Sequence, residues 1–592
     1  MREINVPVFV VGGGGCGLSL SIFLSNLGVE HLVCERREGT SRKPKAHYLN
    51  QRTMEIFRQH GIADSLRAAS APIDKMGRVQ WMTSLGGDGP LDRRVFHTME
   101  AFGGGSLRTR YEEDSPVLSG NLPQIRLEPL LRRCAADRAP SSVLFNHLVT
   151  KVSQDADGIT ALVENNDNGE VFRVNAQYLV GADAGRLVGP TFGIDAQGPT
   201  GLLEMVGVHF SADLSQWWND DILLTFFTNP EGVGDLLGSG AMAVLGPTWG
   251  KHSEEWVIQF AFGANDPARK NDRAMVPRVR ELLKLPDLEL EVHGINHWVL
   301  EGILADKYQV GRAFIAGDAA HRHPPTTGLG LNTAFGDAHN LAWKLALVLN
   351  QGVSPALLDT YGPERRETGR DNVDWAMFTF MNHGVLDAGL GLTPGAPLEQ
   401  SKAAFDTLFS DSPMGEWVRA RAEQVFRTHH VETQAHDREI GYSYRTGALV
   451  PDGTEPPPRD PVGLVYTPTT RPGHRLPHAW IESAERGRIS THDLAPVQPS
   501  FVLITGDDGG PWREVAERVG KGLGVTVIPV SIGERGDHTD PSGKWQAVRE
   551  IGDGGAILVR PDNHIGWRAM STVADPGVEL TTALAHVLGA HT

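Results

Sequence analysis

Residues 312–345 combine a carboxylate, two consecutive prolines and a glycine-rich turn in an order suited to holding a flat, electron-poor ring. The run Arg312-Ala313-Phe314-Ile315-Ala316-Gly317-Asp318-Ala319-Ala320-His321 reads as a buried apolar strand that closes in a tight turn. His323-Pro324-Pro325 and Gly328-Leu329-Gly330-Leu331-Asn332 follow, and a helical run continues through Trp343-Lys344-Leu345. Asp318 falls at the C-terminal end of the strand, where its carboxylate can accept a hydrogen bond from a hydroxyl. Gly328 and Gly330 let the backbone approach a planar ligand, and the amides around Leu331 and Asn332 gather the partial positive charge of a helix N-terminus. A flavin meets both demands, with ribityl hydroxyls for Asp318 and an N1/O2 edge for the helix.

A second constellation opens the chain. Asn5–Val11 reads as a strand. Gly12, Gly14 and Gly17 form G-x-G-x-x-G with Gly15 inside the loop, Leu18–Leu27 is helical, and His31–Cys34 is a strand ending at Glu35. This βαβ unit puts pyrophosphate on the helix N-terminus and its acid, about 20 residues on, against a ribose. The motif alone does not separate FAD from NAD; the Gly317-Asp318 turn makes that choice. Arg36 and Arg37 either touch adenine or phosphate, or form a solvated turn.

These groups need a scaffold of several units. At 592 residues, a prior of ~150 residues per domain gives three or four. A sheet-like middle region is expected from alternating stretches Leu203–Phe210, Asp221–Phe227, Trp256–Phe262 and Leu288–Trp298. Residues 363–383 and 414–430 read as helices, and the proline-rich Pro451–Pro461 as a linker. In the tail, strands at Phe501–Ile504 and Val525–Val530 flank a helix at Trp512–Leu523. A hairpin turns at Arg560-Pro561-Asp562, and a helix at Leu580–Leu588 closes the pattern.

Composition excludes several classes. Fifty-five Lys and Arg against 72 Asp and Glu give a net charge of −17, which disfavours nucleic acid and anionic membrane as partners. No membrane-span run and no signal-like leader is read, so a cytoplasmic location is expected. Cys16, Cys34 and Cys134 are too few for a disulfide framework. No metal site is expected: His321 and His323 lack a third ligand at standard spacing, and adjacent His429 and His430 point apart on a helix.

The run from Arg312 to Leu345 resembles the second FAD motif of the single-component aromatic hydroxylases, the group containing p-hydroxybenzoate and phenol hydroxylases. Tyr178–Arg186 is similar to their Asp-Gly motif, with Ala184 after Asp183 in place of glycine. Leu122–Glu128 resembles their Gln-x-x-Leu-Glu segment; Gln124 would contact FAD and Glu128 would belong to the helix start. Pro44-Lys45-Ala46-His47-Tyr48-Leu49-Asn50-Gln51-Arg52-Thr53-Met54-Glu55 looks like the segment facing the substrate, with His47 where phenol hydroxylase relatives carry an aspartate base. The histidine version resembles the 2,4-dichlorophenol 6-monooxygenases. Lys45 replaces the usual arginine and would meet pyrophosphate or nicotinamide phosphate.

The resemblance implies an α/β multidomain fold. A Rossmann-like FAD-binding domain would run over residues 1–190 and 301–395, with an inserted substrate sheet at 191–300. A helical connection would span 396–450 and a thioredoxin-like domain without cysteines 451–592. It implies FAD as cofactor, NADPH or NADH as co-substrate, and a phenolic substrate hydroxylated with O2 through a flavin C4a-hydroperoxide. A homodimer is among the expected assemblies. His47 is the candidate catalytic base. Gly12, Gly14, Gly15, Gly17, Glu35, Arg36, Lys45, Gln124, Asp183, Gly317, Asp318, Pro325, Gly328, Gly330, Leu331 and Asn332 are the candidate cofactor residues. Alternatives are a polycyclic polyketide hydroxylase, a Baeyer–Villiger oxygenase and a non-catalytic flavin binder.

Overall fold

The computed structural model describes residues 1–230, 239–262, 267–393 and 396–590. Its first sheet has eight strands. The path runs Gln309–Val310, Ala313–Ile315, Val171–Gly181, Glu3–Val11, His31–Glu35, Val143–Phe145, and the pair His147–Gln154 and Ile159–Asn165 extends it beside Val171–Gly181. The four central pairings are parallel. Parallel strands covered on both faces need continuous apolar runs, and Val8, Phe9, Val10, Val33, Leu179, Val180, Phe314 and Ile315 are all fully buried. The helices Gly15–Asn26 and Leu329–Gln351 pack against each other here, so the two expected cofactor helices share one layer.

The second sheet has seven strands in the order Glu291–Leu300, Leu203–Ser211, Glu255–Ala261, Ser239–Gly246, Ile222–Thr228, Arg78–Met82, Val95–Glu100. The four strands read from alternation are present with ends shifted by at most three residues, and Ser239–Gly246, which alternation did not mark, joins them. Two more, Arg78–Met82 and Val95–Glu100, come from inside the first 190 residues. The long helix Tyr361–Gly389 and the helices Leu398–Phe409 and Pro413–Phe426 cover one face of this sheet. There Leu386, Phe405 and Phe426 join Val79 and Trp81 in one apolar cluster.

No helix or strand lies between Ile440 and Trp480. The tail then builds a four-stranded sheet in the order Thr526–Ser531, Ser500–Thr505, Ala556–Val559, Ile565–Ala569. Its first pair is parallel and the other two are antiparallel, and the helices Gly510–Gly522 and Pro576–Val587 pack together beside it. This is the thioredoxin-like arrangement, without a cysteine.

The tail is bolted to the cofactor layer by its hairpin. Arg560 donates to both Glu364 oxygens at 2.8 and 2.9 Å and to Asp562 at 2.6 and 3.0 Å. Lys344 reaches the same Glu364 at 2.8 Å, and Arg52 donates to the Asp562 carbonyl at 2.7 Å. All five side chains are buried. Removing one partner would strand a charge in an apolar interior, a loss of about 3–5 kcal/mol.

Candidate active site

The glycine loop is built by close approach. A side-chain carbon on Gly12 would lie 2.3 Å from the Ala182 carbonyl oxygen, and one on Gly17 1.9 Å from the Gly12 oxygen, so both positions must be glycine. Gly14 differs: a carbon there would meet only Glu128 Oε1, at 3.6 Å, so its backbone faces open space. Tight turn, open cradle and close helix packing are the three glycine roles of a dinucleotide loop. Gly15 serves packing, because a carbon there would touch Leu331 at 3.0 Å. Leu331 therefore joins the two cofactor motifs. Glu35 is buried at the strand end, where Oε2 accepts from Gly13 N at 2.9 Å and Oε1 from Arg37 N at 3.0 Å. Each oxygen keeps a lone pair for a hydroxyl.

The second motif forms as a short strand, the turn Gly317–Ala319, the turn Pro325–Thr327 and the helix Leu329–Gln351. Asp318 is exposed, and its carboxylate has no hydrogen-bond partner among the described residues. Gly317 and Gly328 adopt φ of +61° and +64°. The helix has no side-chain cap at its N-terminus, so the first amides around Gly330 and Leu331 remain available to an electron-rich edge. Open glycine cradle, unpartnered Asp318 and uncapped helix together fit FAD.

Asn332 does something the spacing did not show. Its Nδ2 donates to the Tyr48 carbonyl at 3.0 Å and its Oδ1 accepts from Asn50 N at 3.0 Å. It is thus a clamp between the cofactor helix and the His47 segment. Asp337, one turn farther along, accepts from Gly317 N at 3.0 Å, His321 Nε2 at 2.8 Å and Arg365 Nε at 2.8 Å, which fixes the Gly317-Asp318 turn from below. Pro325 is exposed at the start of the second turn.

His47 precedes the two-residue strand Tyr48–Leu49, which pairs with Gly120–Asn121. Its Nδ1–H donates to Asn121 Oδ1 at 2.5 Å, and its carbonyl accepts from Leu122 N at 2.7 Å. The half-buried imidazole thus presents Nε2, which has no hydrogen-bond partner among the described residues. Burial holds the His47 pKa below its ordinary value, against the opposing pull of the Asn121 bond. The ring is therefore neutral near pH 7, with a lone pair on Nε2.

The remaining positions divide. Gln124 starts the helix Gln124–Arg138 and donates to Glu128 Oε1 at 2.5 Å. Glu128, expected only to start that helix, instead reaches the glycine loop: it accepts from Gly15 N at 3.2 Å and Ser41 N at 2.7 Å. Its signal in the sequence was the one-turn spacing from Gln124, which puts both on one face. Both Asp183 oxygens accept backbone amides, from Gly185, Leu187 and Val188, so this carboxylate shapes the turn. Ala184, in place of the family's glycine, is held left-handed at φ +57°. Lys45 is exposed with φ +48°, and Arg36 is exposed beside Glu35. His429, read as pointing apart from its neighbour His430, meets His383 and Glu432.

Known proteins show the family. Residues 5–376 match the family model "FAD binding domain", and residues 469–591 match "Aromatic-ring hydroxylase, C-terminal". The chain is 33% identical to phenol 2-monooxygenase of Pseudomonas sp. (strain EST1001), over 98% of this chain and 92% of that one. It is 34% identical to 2,4-dichlorophenol 6-monooxygenase of Delftia acidovorans, over 99% of each. The structure is similar to that of the flavin-dependent monooxygenase PieE in complex with FAD and substrate. The TM-score is 0.91, with 37% identity and full coverage of both chains. With its glycine cradle, Gly317-Asp318 turn and thioredoxin-like tail, the chain belongs to the FAD-dependent aromatic-ring hydroxylases, flavoprotein monooxygenases that use reduced nicotinamide as co-substrate.

Proposed function

We propose that this monooxygenase hydroxylates a phenolic ring and that His47 takes the phenolic proton. The carrying observation is the Asn121 bond: with Nδ1–H donating to Asn121, Nε2 is the acceptor atom. Removing the hydroxyl proton moves electron density onto the ortho and para carbons, the positions an electrophilic oxygen attacks. General-base help of this kind contributes about 10²–10⁴-fold. The relatives named for phenol and dichlorophenol substrates favour this class over a ketone, which would need no base.

FAD, when bound, supplies hydride acceptance from NADPH or NADH and the activation of O2. The Gly12–Gly17 loop would hold its pyrophosphate, Glu35 the adenosine ribose, Asp318 the ribityl chain and the amides of Gly330 and Leu331 its ring edge. Gln124, Arg36 and Lys45 would border that groove, with Lys45 the candidate for a nicotinamide phosphate. Within the chain, Asn121 sets the ring orientation of His47, and Asn332 sets the distance of the His47 strand from the cofactor helix.

The test is NAD(P)H consumption stimulated by a panel of phenols, with labelled O2 and mass analysis of the product. One labelled oxygen on the ring supports hydroxylation. A lactone, or no label in any product, rejects it.

A further inference from the structure

A second polar cluster lies where the long helix packs on the seven-stranded sheet. His383, from the helix Tyr361–Gly389, brings Nε2 to 2.9 Å from Glu432 Oε2, and His429 Nδ1 lies 3.4 Å from the same oxygen. The two rings meet edge to face at 4.8 Å. His429 and Glu432 are buried, and His383 is partly so. Glu432 Oε2 is shared by the two histidines, with His383 Nε2 in an ion pair with it, and within the cluster His429 Nε2 is the buried atom without a partner among the described residues. Buried polar atoms in a folded protein are nearly always bonded, so the free His429 nitrogen beside this ion pair points to a ligand.

The walls around the cluster are aromatic and belong to the sheet. The Phe226 ring is 5.6 Å from His383, the Trp81 ring is 5.9 Å from His429, and Trp81 and Phe226 stack at 5.0 Å. The floor belongs to the cofactor site. Thr379, one turn before His383, shares a 2.8 Å hydrogen bond with Thr326 of the Pro325–Thr327 turn. Thr433, next to Glu432, accepts from Phe102 N at 3.0 Å, and the Phe102 ring is 4.7 Å from Tyr48, the residue after His47. Through its neighbours Thr379 and Thr433 the cluster is thus linked to the Pro325–Thr327 turn and to the strand that follows His47.

We infer that His383, backed by Glu432 and His429, is a substrate-recognition site that hydrogen-bonds a second oxygen substituent of the aromatic substrate, remote from the hydroxyl that faces His47. The aromatic walls take the faces of the ring system, and the histidine–glutamate group takes the far oxygen. The favoured substrate class is an aromatic with two separated oxygen functions rather than a simple monohydroxylated ring. A site built to bond a hydroxyl discriminates strongly against the analogue that lacks it, because its own polar groups are then left unpaired. The inference rests on the phenolic reading above, but its test does not require turnover.

The test is equilibrium binding to the FAD-loaded enzyme, read by perturbation of the flavin absorbance, with a monohydroxylated naphthalene and the set of its dihydroxylated counterparts. In the wild type at least one dihydroxylated isomer should bind about tenfold more tightly than the monohydroxylated compound, the usual size of one buried hydrogen bond. His383→Phe should abolish that preference and leave the affinity for the monohydroxylated compound and the FAD content unchanged. Glu432→Gln should shrink it, and decides the matter if His383→Phe fails to fold. A wild type without preference, or variants that lose both ligands equally, would overturn the assignment. So would one zinc per chain retained on dialysis, with ligand binding lost to EDTA and restored by zinc, since the cluster would then be a metal centre. Absence of turnover with every compound would count against the phenolic reading and leave the binding comparison standing.

Discussion

Asn332 holds Tyr48 by its carbonyl and, through Asn50 N, the far side of the same short strand, at 3.0 Å each. A side chain on the first turn of the cofactor helix thus fixes the strand that carries His47. Any shift of that helix moves the candidate base with it, so cofactor and base keep a constant separation. Asn332→Ala would leave an amide and a carbonyl unpaired in a buried place, at about 1–3 kcal/mol. The variant should show a lower Tm as the FAD-loaded enzyme and release more hydrogen peroxide per NAD(P)H consumed. An unchanged peroxide yield would show that the clamp does not set coupling.

Asp318 is the charge-assisted contact proposed for the cofactor chain. Asp318→Ala should weaken FAD binding by about 1.5–3 kcal/mol, roughly 10–150-fold in Kd. Fluorescence titration of the stripped protein with FAD measures this directly, and unchanged affinity would remove Asp318 from the site.

These two residues show what could be read from the chain. Asp318, Gly317 and the G-x-G-x-x-G loop lie within a few residues of their own strand and helix, so order and spacing were enough to single them out as candidates. Asn332 was read correctly as sitting at the helix N-terminus, but its partners lie more than 280 positions away. Glu128 and Asp337 were missed as site-building residues for the same reason: each grips a glycine turn from another helix or a later turn. The middle strands were legible from alternation, whereas Arg78–Met82 and Val95–Glu100 join that sheet by a long crossover that no local pattern records. Asp183 matched its motif, yet both its oxygens serve the turn, a detail that only geometry supplies.

Glu439 should make the enzyme pH-sensitive from behind the site. It is buried and accepts from the Tyr48 hydroxyl at 2.8 Å. Burial pushes its pKa up from 4.5 to about 8, so the folded protein keeps it protonated where the unfolded chain ionises it. A carboxyl raised in this way contributes nothing unfavourable below pH 4.5 and destabilises progressively as pH rises towards 8. Glu439→Gln keeps the hydrogen bond without the titration. Its Tm should exceed that of the wild type at pH 8 and converge with it near pH 5; a constant difference across that range would contradict the assignment.

The Arg560–Glu364 pair predicts the opposite slope. Burial alone would raise the Glu364 carboxyl, but Arg560 and then Lys344 hold it down to about 2. Its stabilisation is complete above the ordinary value of 4.5 and is lost as pH falls from there through about 2. Arg560→Ala should cost about 3–5 kcal/mol at neutral pH by stranding Glu364 and Asp562. The variant's stability should also fall less steeply with acid than that of the wild type. Parallel acid-unfolding curves would show that the hairpin charges do not couple the tail to the cofactor layer.

The most direct test of the account is the coupling efficiency of His47→Ala across phenols of similar size and graded pKa. The variant should keep its fold and FAD. It should slow oxygen transfer by about 10²–10⁴-fold for weakly acidic phenols and release the missing equivalents as hydrogen peroxide. Because burial holds His47 below its ordinary value, the wild type should keep a neutral base down to mildly acidic pH. The variant should instead recover as pH rises towards the pKa of each phenol. With polyhalogenated phenols, which arrive already ionised, the defect should nearly vanish. A loss of the same size for every phenol, independent of its pKa, would contradict proton removal by His47.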